Sequence, residues 1–233
     1  WREVARRIAH EIKNPLTPIQ LSAQRLQRKF GEKLSEDGPV FMECTGTIIS
    51  QVDVLKNLVN EFSRYARMPV ANLTPNDLNE VIRDAVVLYQ DAHKEIAFDY
   101  RPDTSMPQLR LDAEQIKRVM VNLLDNAVAA VNREAGQIEV TTLHDRVHRR
   151  ARVEVRDNGT GVSRADKAKM FEPYYSTKKS GSGLGLAIVS SIISEHRGSV
   201  TVADNEPRGT VVAFELPVEQ AEEPALAAAK AEN

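Results

Sequence analysis

The chain has 233 residues, 42% of them hydrophobic and 27% charged, with a formal net charge of −2. This is the composition of a globular protein of one or two domains; it excludes a disordered or fibrous chain and gives no electrostatic ground for a nucleic-acid partner. The one cysteine, Cys44, excludes an internal disulfide framework and fits a reducing compartment. No apolar run reaches the roughly 18–20 residues that span a bilayer, and Trp1-Arg2-Glu3-Val4 lacks the apolar core of a signal peptide. A soluble chain of intracellular character, with no membrane contact of its own, is expected.

In chain order, residues 1–30 predict an amphipathic helix, because Val4, Ile8, Ile12, Leu16, Ile19, Ala23, Leu26 and Phe30 recur at spacings of three and four. Gly31 to Pro39 predicts a turn. A second helix follows through Phe41, Cys44, Ile48, Val52, Leu55, Val59, Phe62 and Ala66. A short connection makes the two an antiparallel hairpin, and two helices cannot enclose a core, so a second copy completing a four-helix bundle is expected. Met68-Pro69 and Leu73-Thr74-Pro75 mark a linker. Helices are then predicted over Asp77–Gln90, Asp112–Asn132 and Gly183–His196, with strands over Glu95–Tyr100, Gln108–Leu111, Gln137–Leu143, Arg152–Arg156, Ser199–Ala203 and Thr210–Leu216. The alanine- and glutamate-rich end after Pro217 predicts a frayed tail.

Four segments carry chemistry. In His10-Glu11-Ile12-Lys13-Asn14-Pro15-Leu16-Thr17-Pro18, His10 lies two residues from both Ile8 and Ile12. At about 100° per residue it sits about 200° from the apolar stripe. Pro15 and Pro18 interrupt a strong helical pattern, a local inconsistency of the kind found at functional sites. A neutral imidazole is a competent nucleophile, and the neighbouring Glu11 carboxylate can fix its tautomer; Asn14, a turn on, can orient a water. In Asn122-Leu123-Leu124-Asp125-Asn126, the two asparagines share one helix face and suggest oxygen ligands for a hard cation such as Mg²⁺. In Asp157-Asn158-Gly159-Thr160-Gly161, a carboxylate at a strand end can receive a base amino group while Gly159 and Gly161 let backbone approach a ligand. Phe171 to Lys179 runs into Gly181, Gly183, Leu184 and Gly185, a glycine-rich loop opening a helix, which suits phosphate; Lys178 and Lys179 add charge. The glycines read GxGxG, so neither the dinucleotide fingerprint nor a P-loop is present. His93, His144, His148 and His196 lack metal-ligand spacing, so zinc is not expected. Cys44 falls on the apolar stripe of the second helix and is read as a packing residue.

Together these segments resemble a bacterial two-component sensor histidine kinase. HEIKNPLTP resembles the H box of that family, NLLDNA the N box, DNGTGV the G1 box, FEPYYSTK the F box, GSGLGLAI the G2 box and Arg208-Gly209-Thr210 the last nucleotide-site element. The stretch VARRIAHEIKNPLTPIQLSAQRL resembles the nitrogen-regulation kinases of the NtrY type. The resemblance implies an α+β chain, with a two-helix dimerisation and phosphotransfer hairpin over 1–68 and a linker over 69–75. A Bergerat-type (GHKL) α/β sandwich that binds ATP would cover 76–217, and a tail 218–233.

It further implies that His10 is the phosphoacceptor, Glu11 its activating base and Asn14 the water-positioning residue. Asn126 with Asn122 would hold Mg²⁺, Asp157 would accept the adenine amino group, and Lys178, Gly181, Gly183, Leu184, Gly185 and Thr210 would line the nucleotide. Many relatives carry a basic residue in the N box where this chain has Ala129 or Ala130, so phosphate contact would fall to Lys178, Lys179 or Arg133. The implied partners are a second copy and the receiver domain of a response regulator, which takes the phosphoryl group on an aspartate. Whether His10 receives phosphate from its own chain's ATP or its partner's depends on the handedness of the Gly31–Pro39 turn. The resemblance also implies that sensing segments, often membrane-spanning, precede this portion, giving a cytoplasmic fragment of a protein anchored in the inner membrane. The rival readings are a non-kinase GHKL ATPase such as a chaperone or mismatch-repair module, a serine kinase acting on a protein, and an ATP-regulated dimeric scaffold or phosphatase with little kinase activity. The first two leave the hairpin with HEIKNP unexplained.

Overall fold

In the computed structural model the first periodic stretch is one helix, α1 (Arg2–Phe30), and the second is α2 (Gly38–Ala66). The structure describes residues 2–31, 34, 37–66, 70–132, 134–177 and 183–218. The chain divides into two compact units, Trp1–Pro69 with Glu172–Leu184, and Val70–Phe171 with Gly185–Asn233.

In the first unit Ala9, Leu16 and Ala23 of α1 and Val52 and Val59 of α2 are buried in the hairpin. Thr45 is buried among them, and its hydroxyl is satisfied by the Phe41 carbonyl at 2.7 Å, one turn back. Gln20 joins the helices on their polar side: its amide donates to Asp53 Oδ1 at 2.7 Å and its carbonyl accepts from Lys56. A second apolar row stays on the surface. Ile12, Ile19 and Leu26 are 41%, 47% and 44% exposed, and Ile48 and Leu55 of α2 are 44% and 45% exposed. Cys44 is exposed in the single hairpin too: it lies one turn before Ile48, on this uncovered side of α2. Pro15 and Pro18 sit inside a continuous α1.

The second unit is built on a five-stranded sheet in the order β2-β4-β5-β7-β6. Its strands are β2 (Ala97–Arg101), β4 (Gln137–Asp145), β5 (Arg150–Asp157), β6 (Ser199–Asp204) and β7 (Thr210–Pro217). β2 pairs with β4 in parallel and the other pairs are antiparallel. A two-stranded ribbon joins β1 (Thr74–Asn76) to β3 (Leu109–Leu111). Helices α3 (Leu78–Ala92), α4 (Ala113–Ala130) and α6 (Gly185–Glu195) pack on the sheet, and α5 (Arg164–Lys167) is one short turn.

Period-two alternation in β5 decides the two faces. Ala151, Val153 and Val155 are buried toward the helices, while Arg152, Glu154 and Arg156 project from the other face. There Arg152 bridges Glu154 and Glu215, each at 2.7 Å. α4 lays Ile116, Val119, Met120, Leu123, Leu124 and Ala127 into the core, and its N-cap Asp112 accepts from Gln115 N at 3.1 Å.

The expected helices and strands are present with ends shifted by a few residues. The linker region gains β1, and α5 is an addition. Among the described residues no helix is long and apolar enough to cross a membrane. The tail expected after Pro217 lies, from residue 219 on, outside the described residues.

Candidate functional site

Asp157 follows in phase from Val153 and Val155, so the alternation that buries the valines also turns this carboxylate under the helices, where it is 6% exposed. Its Oδ1 accepts from Gly159 N at 2.8 Å and Thr210 N at 3.3 Å. Two backbone amides thus set the orientation of the acid, one from the loop after β5 and one from the start of β7. Gly159 is required by close packing: a Cβ there would lie 2.5 Å from the Ala130 carbonyl oxygen at the end of α4. Gly161 has φ +75°, a backbone state that favours glycine, and faces Gly209 across the loop. Asn158 fastens the same loop to the segment before β4, accepting from Gln137 N at 2.9 Å and donating to Ala135 O at 2.9 Å.

Asn122 and Asn126 are half-buried on one side of α4. The Asn122 amide nitrogen donates to Arg118 O at 2.8 Å, which turns Oδ1 toward the first residue of α6. A Cβ on Gly185 would sit 2.8 Å from that oxygen, so the absence of a side chain at 185 leaves the space in front of it. α4 is held from behind by Tyr89, whose hydroxyl contacts Asp125 Oδ1 at 2.5 Å; burial first, and then this carboxylate, push the phenol well above its ordinary range, so it remains a donor. At the far end of α6, His196 is buried, with Nε2 accepting from Asp112 N at 3.0 Å and Nδ1 against Ile192 O at 2.8 Å. Gly183 has φ +70°, and a Cβ on it would lie 2.5 Å from the Tyr174 carbonyl carbon; Tyr174 N donates to Gly183 O at 3.0 Å. Leu184 is fully buried.

The residues expected around a nucleotide are thus sorted as follows. Asn122, Asn126, Asp157, Gly159, Gly161, Gly185 and Thr210 all belong to the second unit: Asn122 at the middle of α4 and Asn126 a turn on, Asp157 at the end of β5, Gly159 and Gly161 in the loop after it, and Gly185 and Thr210 at the starts of α6 and β7. Gly183 and Leu184 belong to the first unit. Lys178 and Gly181 lie outside the described residues, as do Lys179 and Arg133. On α1, Glu11 and Asn14 are exposed and Ala9 is buried; His10 lies in the helix between Ala9 and Glu11. Ala129 is exposed, and Ala130 packs against the loop after β5, its carbonyl accepting from Thr160 N at 3.2 Å. Asn158, Asn205 and Arg208 hold the loop after β5; the motifs read in the sequence contain Asn158 and Arg208 without giving either this role, and sequence reasoning missed Asn205. The sequence cue to Asn205 is its position beside a strand end.

Amide oxygens are hard donors suited to Mg²⁺, which takes few protein ligands and keeps waters and phosphates. The Asn122 oxygen facing the side-chain-free Gly185 leaves room for such a group, so the residues present fit it.

Comparison with known proteins identifies the family. Residues 1–69 match the His Kinase A (phospho-acceptor) domain, and residues 111–220 match the histidine kinase-, DNA gyrase B- and HSP90-like ATPase family. Nitrogen regulation protein NtrY of Azorhizobium caulinodans is 42% identical over 226 residues, 94% of this chain and 29% of that protein. An NtrY-like protein of Rickettsia conorii is 37% identical over 91% of this chain and 35% of its own length. The chain therefore spans about a third of the length of these curated relatives. Among solved structures, full-length ShkA in complex with AMPPNP is similar with a TM-score of 0.66 and 27% identity, over 92% of this chain and 45% of that one. Histidine kinase ThkA in complex with the response regulator protein TrrA is similar with a TM-score of 0.65 and 30% identity, over 93% of this chain and 61% of that one. A phosphoacceptor hairpin joined to an ATP-binding α/β unit, alike along nearly its whole length to nitrogen-regulation kinases, places the chain in the sensor histidine kinase family, NtrY type.

Proposed function

We propose that the chain transfers the γ-phosphoryl group of ATP to His10 and passes it on to an aspartate of a response regulator. The observation that carries this reading is the union, in one chain, of a helix bearing HEIKNP with a unit whose buried carboxylate, Asp157, is oriented by two backbone amides. The functional domains are taken as 1–68 and 76–217, joined by 69–75.

Asp157 accepts the exocyclic amino group of adenine, and Gly159 and Gly161 let the base approach the backbone. Gly181, Gly183, Leu184 and Gly185 shape the loop over the phosphates, with Lys178 adding charge and Thr210 beside the base. Asn126, with Asn122, would hold Mg²⁺. When bound, that ion offsets the phosphate charge in a loose phosphoryl-transfer transition state, leaving the protein the work of positioning. A ring nitrogen of His10 forms the N–P bond as the bond to the β-phosphate oxygen breaks and ADP leaves, and Glu11 accepts a ring proton. The phosphohistidine bond is labile, so the group moves on to the regulator's carboxylate.

The exposed row of Ile12, Ile19, Leu26, Ile48 and Leu55 supports a homodimer in which a second hairpin covers it. The regulator is read as docking on the exposed side of residues 13–27. Asn14, exposed one turn beyond His10, positions water for dephosphorylation of the regulator. Segments outside this chain would anchor the full-length protein in the inner membrane.

The test starts from protein labelled with γ-³²P ATP, freed of nucleotide and mixed with a receiver domain. Label is expected to move to the receiver, and Asn14→Ala is expected to slow later loss of label from the receiver far more than it slows labelling of the kinase. Label that stays on the kinase with every receiver supplied would contradict the transfer. Equal loss of both steps in Asn14→Ala would remove the water-positioning role.

A further inference from the structure

The turn between β6 and β7 closes on the main chain of Asp157 from three sides. Asn205 Nδ2 donates to the Asp157 carbonyl at 2.9 Å, and Asn205 N closes the turn on Gly209 O at 3.1 Å. Arg208 Nε donates to the Asn158 carbonyl at 3.0 Å. Gly209, at φ +114°, is pressed so near that a Cβ would lie 1.9 Å from the Asp157 carbonyl oxygen. Thr210 N then reaches the carboxylate itself at 3.3 Å. The turn Asn205–Gly209 and the first residue of β7 therefore grip both the carbonyl and the side chain of the same residue. Asn205 is half-buried, and its carboxamide donates directly to that carbonyl, whereas Arg208 is exposed and acts one residue further on.

We propose that Asn205 is a positioning residue for base recognition. By fixing the Asp157 carbonyl it sets the plane from which the carboxylate meets the base, and so sharpens the preference for a purine carrying an exocyclic amino group at the adenine position. This rests on reading Asp157 as the acceptor of that amino group. The physical ground is that a site built to hydrogen-bond a substrate N–H rejects an analogue lacking it only while the acceptor is held in register; a small displacement forfeits the discrimination.

Titration calorimetry of the full chain with Mg²⁺ and either ATP or inosine triphosphate, which lacks the amino group, separates the two claims. The unaltered protein is expected to favour ATP by about ten-fold or more, and Asp157→Asn to erase the preference. Asn205→Asp sets a carboxylate against the Asp157 carbonyl and is expected to lower the ratio of the two affinities roughly five-fold, through weaker ATP binding at nearly unchanged inosine triphosphate binding. A merely structural loosening would weaken both nucleotides alike, and that result overturns the proposal. So does a retained ratio in Asn205→Asp when Asp157→Asn has lost it, in which case the reading of Asp157 stands and the role of Asn205 falls. No preference in the unaltered protein, or a preference surviving in Asp157→Asn, removes the reading of Asp157 and the proposal with it. Asn205→Ala, which deletes the donor without adding charge, gives the same comparison if the aspartate variant fails to fold.

Discussion

Asp103 ties its loop to β4 through its carboxylate and to α3 through its backbone carbonyl. Its Oδ2 accepts from His144 N in β4 and its Oδ1 from Ser105 N, both at 2.8 Å, while Asn79 of α3 donates to its carbonyl at 2.9 Å. The hydrogen bond from the His144 backbone, followed by those from Ser105, holds the acid down at about 2, against an ordinary value of 3.8. A depressed carboxylate contributes stability that is present above its unfolded value and is lost as pH falls through the folded value. Asp103→Asn is therefore expected to lower the thermal midpoint at neutral pH, with the gap to the unaltered protein narrowing from about pH 4 towards pH 2. A gap independent of pH would show that the charge is not what the site uses. At this scale Asp157 was legible in the sequence, because an alternating strand ending in an acid and two glycines states its own geometry. Asn205 was not: its role depends on β7 lying between β5 and β6, and no local pattern reveals which strands are neighbours.

The hairpin shows what periodicity gives and where it stops. Spacings of three and four located α1 and α2 nearly to their ends, but they merged two rows into one stripe. The row of Ala9, Leu16 and Ala23 faces α2, and the row of Ile12, Ile19 and Leu26, three residues on, remains outside. Small residues in the inner row let the helices approach, and only packing distinguishes the two. If the outer row is covered by a second copy, Ile19→Glu should convert a dimer to monomers in sedimentation or light scattering. Leu21→Glu, 59% exposed and two positions away on the other side of α1, should leave the dimer intact. Two monomeric variants, or two unaffected dimers, would place the contact elsewhere. The ribbon strand β1 escaped notice because it has three residues with Pro75 at its centre, a sequence that announces a linker. It exists because β3 offers it an edge. α5, a single turn capped by Ser163, is likewise too short to carry a period.

For the whole molecule, the order of segments along the chain was more informative than any one of them. A histidine beside a carboxylate, a pair of asparagines, a DNGTG turn or a glycine-rich loop each has an ordinary reading alone. Within the second unit the structure sets Asn122 against Gly185, and Asp157 against Gly159 and Thr210, and the same chain carries His10 on a separate helical unit. Two units with complementary chemistry, one to hold a nucleotide and one to present a nucleophile, form the central claim. The most direct measurement is incubation of the full chain with γ-³²P ATP and Mg²⁺, followed by acid and base treatment of the labelled protein. Label is expected to appear on the chain, to be lost in acid and kept in base, as a phosphohistidine requires, and to be absent from His10→Ala and from Asp157→Asn at limiting ATP. Undiminished labelling of a folded His10→Ala variant, or label stable to acid, would contradict the account.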